Sequence, residues 1–168
     1  MATVKRSPLL LALLTWAPLW ALDADREQPI EVEADSLEVR EQENISIYQG
    51  NVRLKQGSLE ISSDRLVIHF DDNSDLVLME MTGNPARLRQ LDHEQQEMRG
   101  QARQINYLES ESLLELIEEA RFTHAGDTIE STLIRINTED NNIQAGSSDA
   151  DERVKMLIQP RQNPTNTE

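Results

Sequence analysis

The strongest constraint in this sequence is a two-residue apolar period that returns after sixty-eight residues. Residues 45–70 read ISIYQGNVRLKQGSLEISSDRLVIHF. Ile45 and Ile47 alternate with polar neighbours, as do Val52 and Leu54, Leu59 and Ile61, then Leu66, Ile68 and Phe70. This period predicts three successive β-strands with one apolar and one wet face. Gly50 and Gly57 fall where turns or bulges belong. The offset of sixty-eight maps Ile45 onto Leu113, Val52 onto Ala120, Arg53 onto Arg121 and Leu54 onto Phe122. It also maps Ile61 onto Ile129, Leu66 onto Ile134 and Ile68 onto Ile136, without insertion. Partial echoes occur at 34–39 and 101–107. The chain therefore repeats one β unit, and the expected class is all-β.

The length of 168 residues suits one domain. With no cysteine, disulfides, thiolate chemistry and Cys-based zinc sites are excluded. A formal charge of −15 argues against nucleic acid as a partner, because phosphates would be repelled.

Residues 1–24 have the pattern of a secretory signal peptide. Lys5 and Arg6 form a basic start, Leu9 to Leu14 an apolar core, and Ala21 or Ala24 would precede cleavage. The apolar run is broken by Pro18 and is short against the roughly 20 residues of a membrane span. An uncleaved N-terminal anchor is the competing reading. The β domain is expected over 25–159 and a disordered polar tail over 160–168.

Within the domain, Ile30 and Val32, then Leu37 and Val39, open the sheet. DDNSD at 71–75 is a turn, and LVLMEM at 76–81 is a strand apolar enough to be partly covered on both faces. Residues 91–100 read as a long hairpin loop or a twisted edge. ESESLLELIEEA at 109–120 favours helix on intrinsic propensity, but the repeat places it in strand register, and the repeat is followed here. Residues 129–136, 143–145 and 154–158 complete the strands, with a turn at 138–142.

Nothing in the pattern is organised for catalysis. DDNSD lacks the glycine that a calcium loop needs at its sixth position, where Leu76 stands. His69, His93 and His124 have no paired spacing. No Gly-x-Ser-x-Gly elbow or phosphate-binding loop occurs. The alternating apolar face has two readings: an ordinary filled core, or a trough for acyl chains. With aromatics at 4%, few large rings could plug an interior, and repeated β units leave open ends, which favours the trough.

Five stretches, QPIEVEADSLEV, GNVRLKQGSLEISSDRLVI, GNPA, GQARQINY and VKMLIQP, together resemble the OstA-like (LptA) family of periplasmic lipopolysaccharide-transport proteins. The likeness runs from about Gln28 to Pro160, and its specificity lies in order and spacing. One departure is that Glu118 and Glu119 stand where the first repeat has Gly50 and Asn51. The resemblance implies an open, twisted β-jelly-roll of about sixteen antiparallel strands. It also implies a non-enzymatic bridge without cofactor that binds lipopolysaccharide through lipid A. Such a bridge would pass its cargo from an LptC-type inner-membrane partner at the N-terminal edge to an LptD-type outer-membrane partner at the C-terminal edge, with copies stacking end to end.

The acyl-chain groove is assigned on period alone. Its expected lining is Ile30, Val32, Leu37, Val39, Ile45, Ile47, Val52, Leu54, Leu59, Ile61, Leu66, Ile68, Phe70, Ile105, Tyr107, Phe122, Ile129, Ile134 and Ile136. The docking edges are expected at Ile30, Glu31 and Val32, and at Val154, Lys155, Met156, Leu157 and Ile158. The acidic exterior is expected to leave lipid A phosphates in solvent at the groove mouth. The alternatives are an anchored LptC-type protein, a secreted β-repeat protein that binds or cleaves polysaccharide, and a periplasmic scaffold with a filled core.

Overall fold

The computed structural model describes residues 25, 28–92, 94–140, 142–146 and 153–160. The expected signal peptide and the tail beyond Pro160 lie outside these residues. Ten strands form one sheet: β1 (Glu31–Glu33), β2 (Ser36–Arg40), β3 (Ile45–Gln56), β4 (Leu59–Phe70), β5 (Leu76–Leu91), β6 (Glu97–Leu108), β7 (Leu113–His124), β8 (Asp127–Asn137), β9 (Ile143–Ala145) and β10 (Lys155–Leu157). All pairings are antiparallel. The order is β1-β3-β4-β5-β6-β7-β8-β10, with β2 also on β3 and β9 also on β8, so the sheet does not close. The stretch with helical composition is strand from Leu113 onward, preceded by a single 3₁₀ turn, Glu109–Glu111. The expected long loop at 91–100 is shorter, because β5 runs to Leu91 and β6 starts at Glu97.

Near their middles β4, β5, β6 and β8 change which alternate positions point inward, while β3 and β7 keep theirs across a two-residue bulge. In β3 the inward positions are Ser46, Tyr48, Val52 and Leu54, and Gly50 and Asn51 stand between the two pairs. Both take left-handed φ values, 79° and 47°, and lie opposite a single residue of β4. This is a β-bulge, which bends the strand and re-aims its side chains. Register shifts lie at corresponding points of the pairings across β4–β8.

Together these corners fold the sheet onto itself. Leu116 of β7 lies six residues from Phe122, the partner of Gly100, which is about 20 Å along a flat strand. Yet a Cβ placed on Gly100 would stand 3.0 Å from Leu116 Cδ2. The two halves of the sheet therefore face one another. One leaf contains residues 45–49, 65–70, 76–82, 104–108, 113–117 and 133–137. The second contains 52–56, 59–63, 86–91, 97–102, 120–124 and 127–131. The expected count of sixteen strands becomes ten for the same reason. The six long strands run through the corner unbroken, and counting each as two halves beside the four short strands restores sixteen.

The sixty-eight-residue repeat holds in backbone detail. Arg40↔Ile45 recurs as Leu108↔Leu113, Gln49↔Arg65 as Ile117↔Leu133, and Val52↔Ser63 as Ala120↔Ser131. The left-handed residues recur too: Asn44 and Ser112, Gly57 and Ala125, and the bulge pairs Gly50–Asn51 and Glu118–Glu119. The departure seen in the sequence leaves the corner unchanged. Glu118 (φ 62°) and Glu119 (φ 53°) adopt a conformation that costs most residues about 1–2 kcal/mol and glycine nothing. Glu119 is also held by Arg103 at 2.9 Å.

The β5–β6 turn is built on Asp92. Its carboxylate accepts the backbone N–H groups of Glu94 and Gln96, each at 2.8 Å, and lies 2.7 Å from His124 Nε2. Partial burial pushes the Asp92 carboxyl up, but the hydrogen bonds from His124 and the two amides outweigh it and hold the group below its ordinary value. A depressed carboxyl stabilises the fold above its unfolded pKa of about 4, and that contribution is lost as pH falls through the lower folded value.

Exposed Glu118 carries the left-handed cost without an ion pair among the described residues, so Glu118→Gly is expected to raise unfolding stability by about 1 kcal/mol in urea melts. A fall would mean that the Glu118 stem, or its attraction for Arg103, outweighs the backbone cost. Asp92→Asn is expected to lower stability at pH 7 and to flatten the loss of stability on acidification below about pH 4. Parallel pH curves for variant and wild type would remove Asp92 from the acid response.

Candidate functional site

The interior is a set of cross-strand rows. In the first leaf one row runs Leu37, Tyr48, Leu66, Met81, Ile105, Leu116, Ile134 and Ala145, from the β2 edge to the β9 edge. A parallel row runs Val39, Ser46, Ile68, Met79, Tyr107, Leu114, Ile136 and Ile143. In the second leaf the row is Val32, Leu54, Ile61, Leu88, Gly100, Phe122, Ile129 and Met156, from β1 to β10. Small residues stand at the corner, with Ala86 opposite Ala102 and Ala120 opposite Ser131. Large side chains there would hold the leaves apart. Gly100 has the same role, since Leu116 and Leu88 occupy the space a side chain would need.

The apolar interior is filled by its own side chains. Leu66, Met81, Ile105, Leu116 and Ile134 have no water-accessible surface. Of the expected groove residues, Val52, Leu54, Ile61, Leu66, Ile68, Ile105, Phe122, Ile134 and Ile136 belong to this core. Val32, Leu59, Phe70, Tyr107 and Ile129 are partly buried against it. Ile30, Leu37 and Val39 are exposed at the N-terminal edge.

Ile45 and Ile47 are the correction. Ile45 pairs with His69 and Ile47 with Val67, on the face opposite the Tyr48–Leu66 row. Ile47 is only 4% exposed, but it is buried outside the main core. The expected set changes from odd to even positions between Ile47 and Val52, whereas the strand makes no such change. Even positions of β3 point inward on both sides of the bulge, so Ser46 and Tyr48 share the inner face with Val52 and Leu54. Met79, Met81, Ala86, Leu88, Ala102, Leu116 and Ala120 are core residues outside the expected set. Leu116 is the repeat equivalent of Tyr48, so the same misreading of β3 hides both. Ala120 carries a signal as the repeat equivalent of Val52, whereas Ala102 carries none.

Ser63 Oγ is a buried side-chain polar atom without a protein hydrogen-bond partner. It faces Val52 across the corner. DDNSD is a hydrogen-bonded turn, with Asp71 accepting the N–H groups of Asn73 and Asp75. Among the described residues no cluster of His and carboxylate side chains could hold a metal ion. His69 faces outward and meets Glu80 at 2.7 Å.

The two sheet edges differ from the rest of the surface. Ile30, Leu37 and Val39 at one end, and Ile143, Val154, Met156, Leu157 and Ile158 at the other, are large exposed apolar side chains. Elsewhere among the described residues only Val77 matches them. Unpaired edges carrying apolar side chains are templates for another strand.

Residues 31–142 match the family described as "LptA/(LptD N-terminal domain) LPS transport protein". The lipopolysaccharide export system protein LptH of Pseudomonas aeruginosa is 29% identical over 148 residues, covering 84% of this chain and 85% of its own. The lipopolysaccharide export system protein LptA of Escherichia coli K12 is 27% identical over 160 residues, 95% of this chain and 84% of its own. The crystal structure of the P. aeruginosa LptH superposes with a TM-score of 0.74 at 28% identity, over 82% of this chain and 99% of that one. Its description makes it the LptA-homologous periplasmic component of the lipopolysaccharide transport device. The folded sheet with apolar rows running out to two open edges is thus that of the LptA/LptD N-terminal-domain family of lipopolysaccharide-transport proteins, to which this chain belongs.

Proposed function

We propose that this protein is a periplasmic bridge that carries lipopolysaccharide towards the outer membrane, holding lipid A acyl chains between its two leaves. It acts as a carrier, without catalysis or cofactor. The observation that carries the reading is the continuity of the apolar rows, which run across every strand and end in exposed apolar side chains at both edges. Family membership and the names of the relatives support the same cargo and compartment. The residues assigned to the groove are the inward members of these rows. Those at the rim, Leu59, Phe70, Tyr107 and Ile129, are partly buried and meet an entering chain first. Because the core is filled, the leaves part to admit it. Each acyl CH₂ transferred from water is worth about 0.8 kcal/mol, so partial insertion of one chain supplies several kcal/mol.

The internal repeat gives a register for end-to-end addition. β1 and β2 pair with β3 as β6 pairs with β7, shifted by sixty-eight. β10 pairs with β8 as the second half of β5 pairs with β4. Within the chain, β5 and β6 are neighbours through Arg87↔Gln101, Leu88↔Gly100, Arg89↔Arg99 and Gln90↔Met98. Shifted by the repeat, these become Lys155↔Glu33, Met156↔Val32, Leu157↔Glu31 and Ile158↔Ile30 between one copy and the next. The same logic sets Ala145 against Leu37 and Ile143 against Val39. Apolar residues meet on the inner face and Lys155 meets Glu33 on the outer face. An LptC-type partner at the β1–β2 edge and an LptD-type partner at the β9–β10 edge would use this same docking.

A photoreactive residue at Ile61 or Tyr107 is expected to crosslink to lipopolysaccharide in cells, and one at outward-facing Arg65 is not. Equal labelling at Arg65, or none inside with the protein abundant, would leave the filled core as a scaffold. For the joint, the cysteine-free chain carrying Ile30→Cys and Ile158→Cys is expected to form a ladder of covalent oligomers on oxidation. Ile30→Cys with Leu157→Cys, one residue out of register and facing away, is expected to form far fewer. Equal ladders from both pairs would dismiss the register.

A further inference from the structure

The chain is strongly acidic, yet a cavity of about 1040 Å³ on the outer face of the second leaf is lined by six of its cations. The side chains are set by alternation. Arg53, Ser62, Arg87, Gln101 and Arg121 form one cross-strand row. Each is next in sequence to a residue of an inward row or its corner, so the whole row points outward. A second outward row sets Lys55, Glu60, Arg89, Arg99 and Thr123 side by side.

The cations of this cavity are of two kinds. Arg89 meets Glu60 at 3.5 Å and also pairs with Glu97, Arg99 pairs with Glu97, and Arg121 with Glu130. Hydrogen bonds from these arginines, and from Lys155 to Glu130, hold Glu97 and Glu130 below the usual carboxylate range, so both stay ionised and neutralise their partners. Arg53, Lys55 and Arg87 form no ion pair among the described residues. Glu31 and Glu33 also line the cavity, opposite Lys55 and Arg53 across β1 and β3, but neither closes to an ion pair.

Arg53 and Arg87 flank Ser62 from the two neighbouring strands. Two strand spacings put their backbones roughly 9–10 Å apart, and the short serine leaves the gap between them unfilled. Two guanidinium groups leaning over a hydroxyl match a tetrahedral oxyanion, with paired N–H donors from each side and an O–H donor below. The opposite charge of the remaining surface acts weakly here, because charges beyond about 8 Å are screened at physiological salt.

We infer that Arg53, Ser62 and Arg87 form an anion site on the outer wall of the second leaf, which takes phosphate groups. The phosphate comes either from the phosphorylated sugar of a lipid held between the leaves, draped over the hairpin rim, or from free phosphate in solution. The first source rests on the carrier reading above. It also replaces the expectation that phosphates stay wholly in solvent.

The test uses the purified protein with inorganic pyrophosphate, followed by amide NMR and calorimetry. Pyrophosphate is expected to shift the amides of Arg53, Ser62 and Arg87, with affinity falling as salt rises. Arg53→Gln with Arg87→Gln is expected to weaken binding at least tenfold, whereas Arg40→Gln, at a cation on a distant edge, leaves it unchanged. All these side chains are exposed, so the variants keep the fold. Shifts scattered over the surface, or equal affinity in the double variant, would overturn the site. A second arm compares bisphosphorylated with dephosphorylated lipid A. A drop for the phosphorylated form alone in the double variant makes the lipid the source; no difference, with the pyrophosphate response intact, makes it free phosphate. If neither lipid binds the wild type, the carrier reading fails, and the pyrophosphate arm still decides the site.

Discussion

Pairs of left-handed residues in the middle of long strands control this molecule. A straight antiparallel sheet with one apolar face cannot bury that face on itself. Bulges at Gly50–Asn51 and Glu118–Glu119, aligned with corners in the intervening strands, bend the sheet so that its two halves meet. On β4, β5, β6 and β8 the corner also changes which alternate side chains point inward, so packing and facing are both set at this one line across the sheet. That the second repeat keeps this geometry with two glutamates, at an energetic cost, indicates how firmly the surrounding pairing determines it.

Much of the fold was legible from the sequence because an antiparallel strand writes its environment in alternate letters. The repeat was the stronger signal, and it overruled helical propensity at Leu113–His124, where long-range pairing on both sides outweighs the local preference of Leu and Glu. The failures cluster at the corners. Ile45 and Ile47 read as inward because they are the apolar members of their alternating pairs, yet the two-residue bulge preserves the strand's parity and turns Ser46 and Tyr48 inward instead. Ala86 and Ala102 escape the reading because a small residue at a crowded corner looks, in sequence, like one on a surface. Leu37 and Val39 obey the alternation but lie on an edge strand, where no neighbour covers them.

Charge is distributed unevenly. A single net value describes solubility and long-range repulsion, but recognition occurs over a few ångströms. The outward rows of the second leaf place arginines on β3, β5, β6 and β7 side by side, and the acids that would neutralise all of them are too few at that spot. The repeat contributes here also, because Arg53 and Arg121 are equivalent positions.

The filled interior has a thermodynamic consequence for anything lodged there. An empty apolar cavity would hold a hydrocarbon chain with the full gain of transfer from water and would release it slowly. In this protein a chain entering as proposed would displace leucine, isoleucine and methionine side chains already in apolar contact. Occupied and vacant states then differ by an exchange of like for like, and the net affinity is a small difference between two large terms. Such a molecule grips its cargo lightly at every position, and the direction of movement must be imposed from outside it.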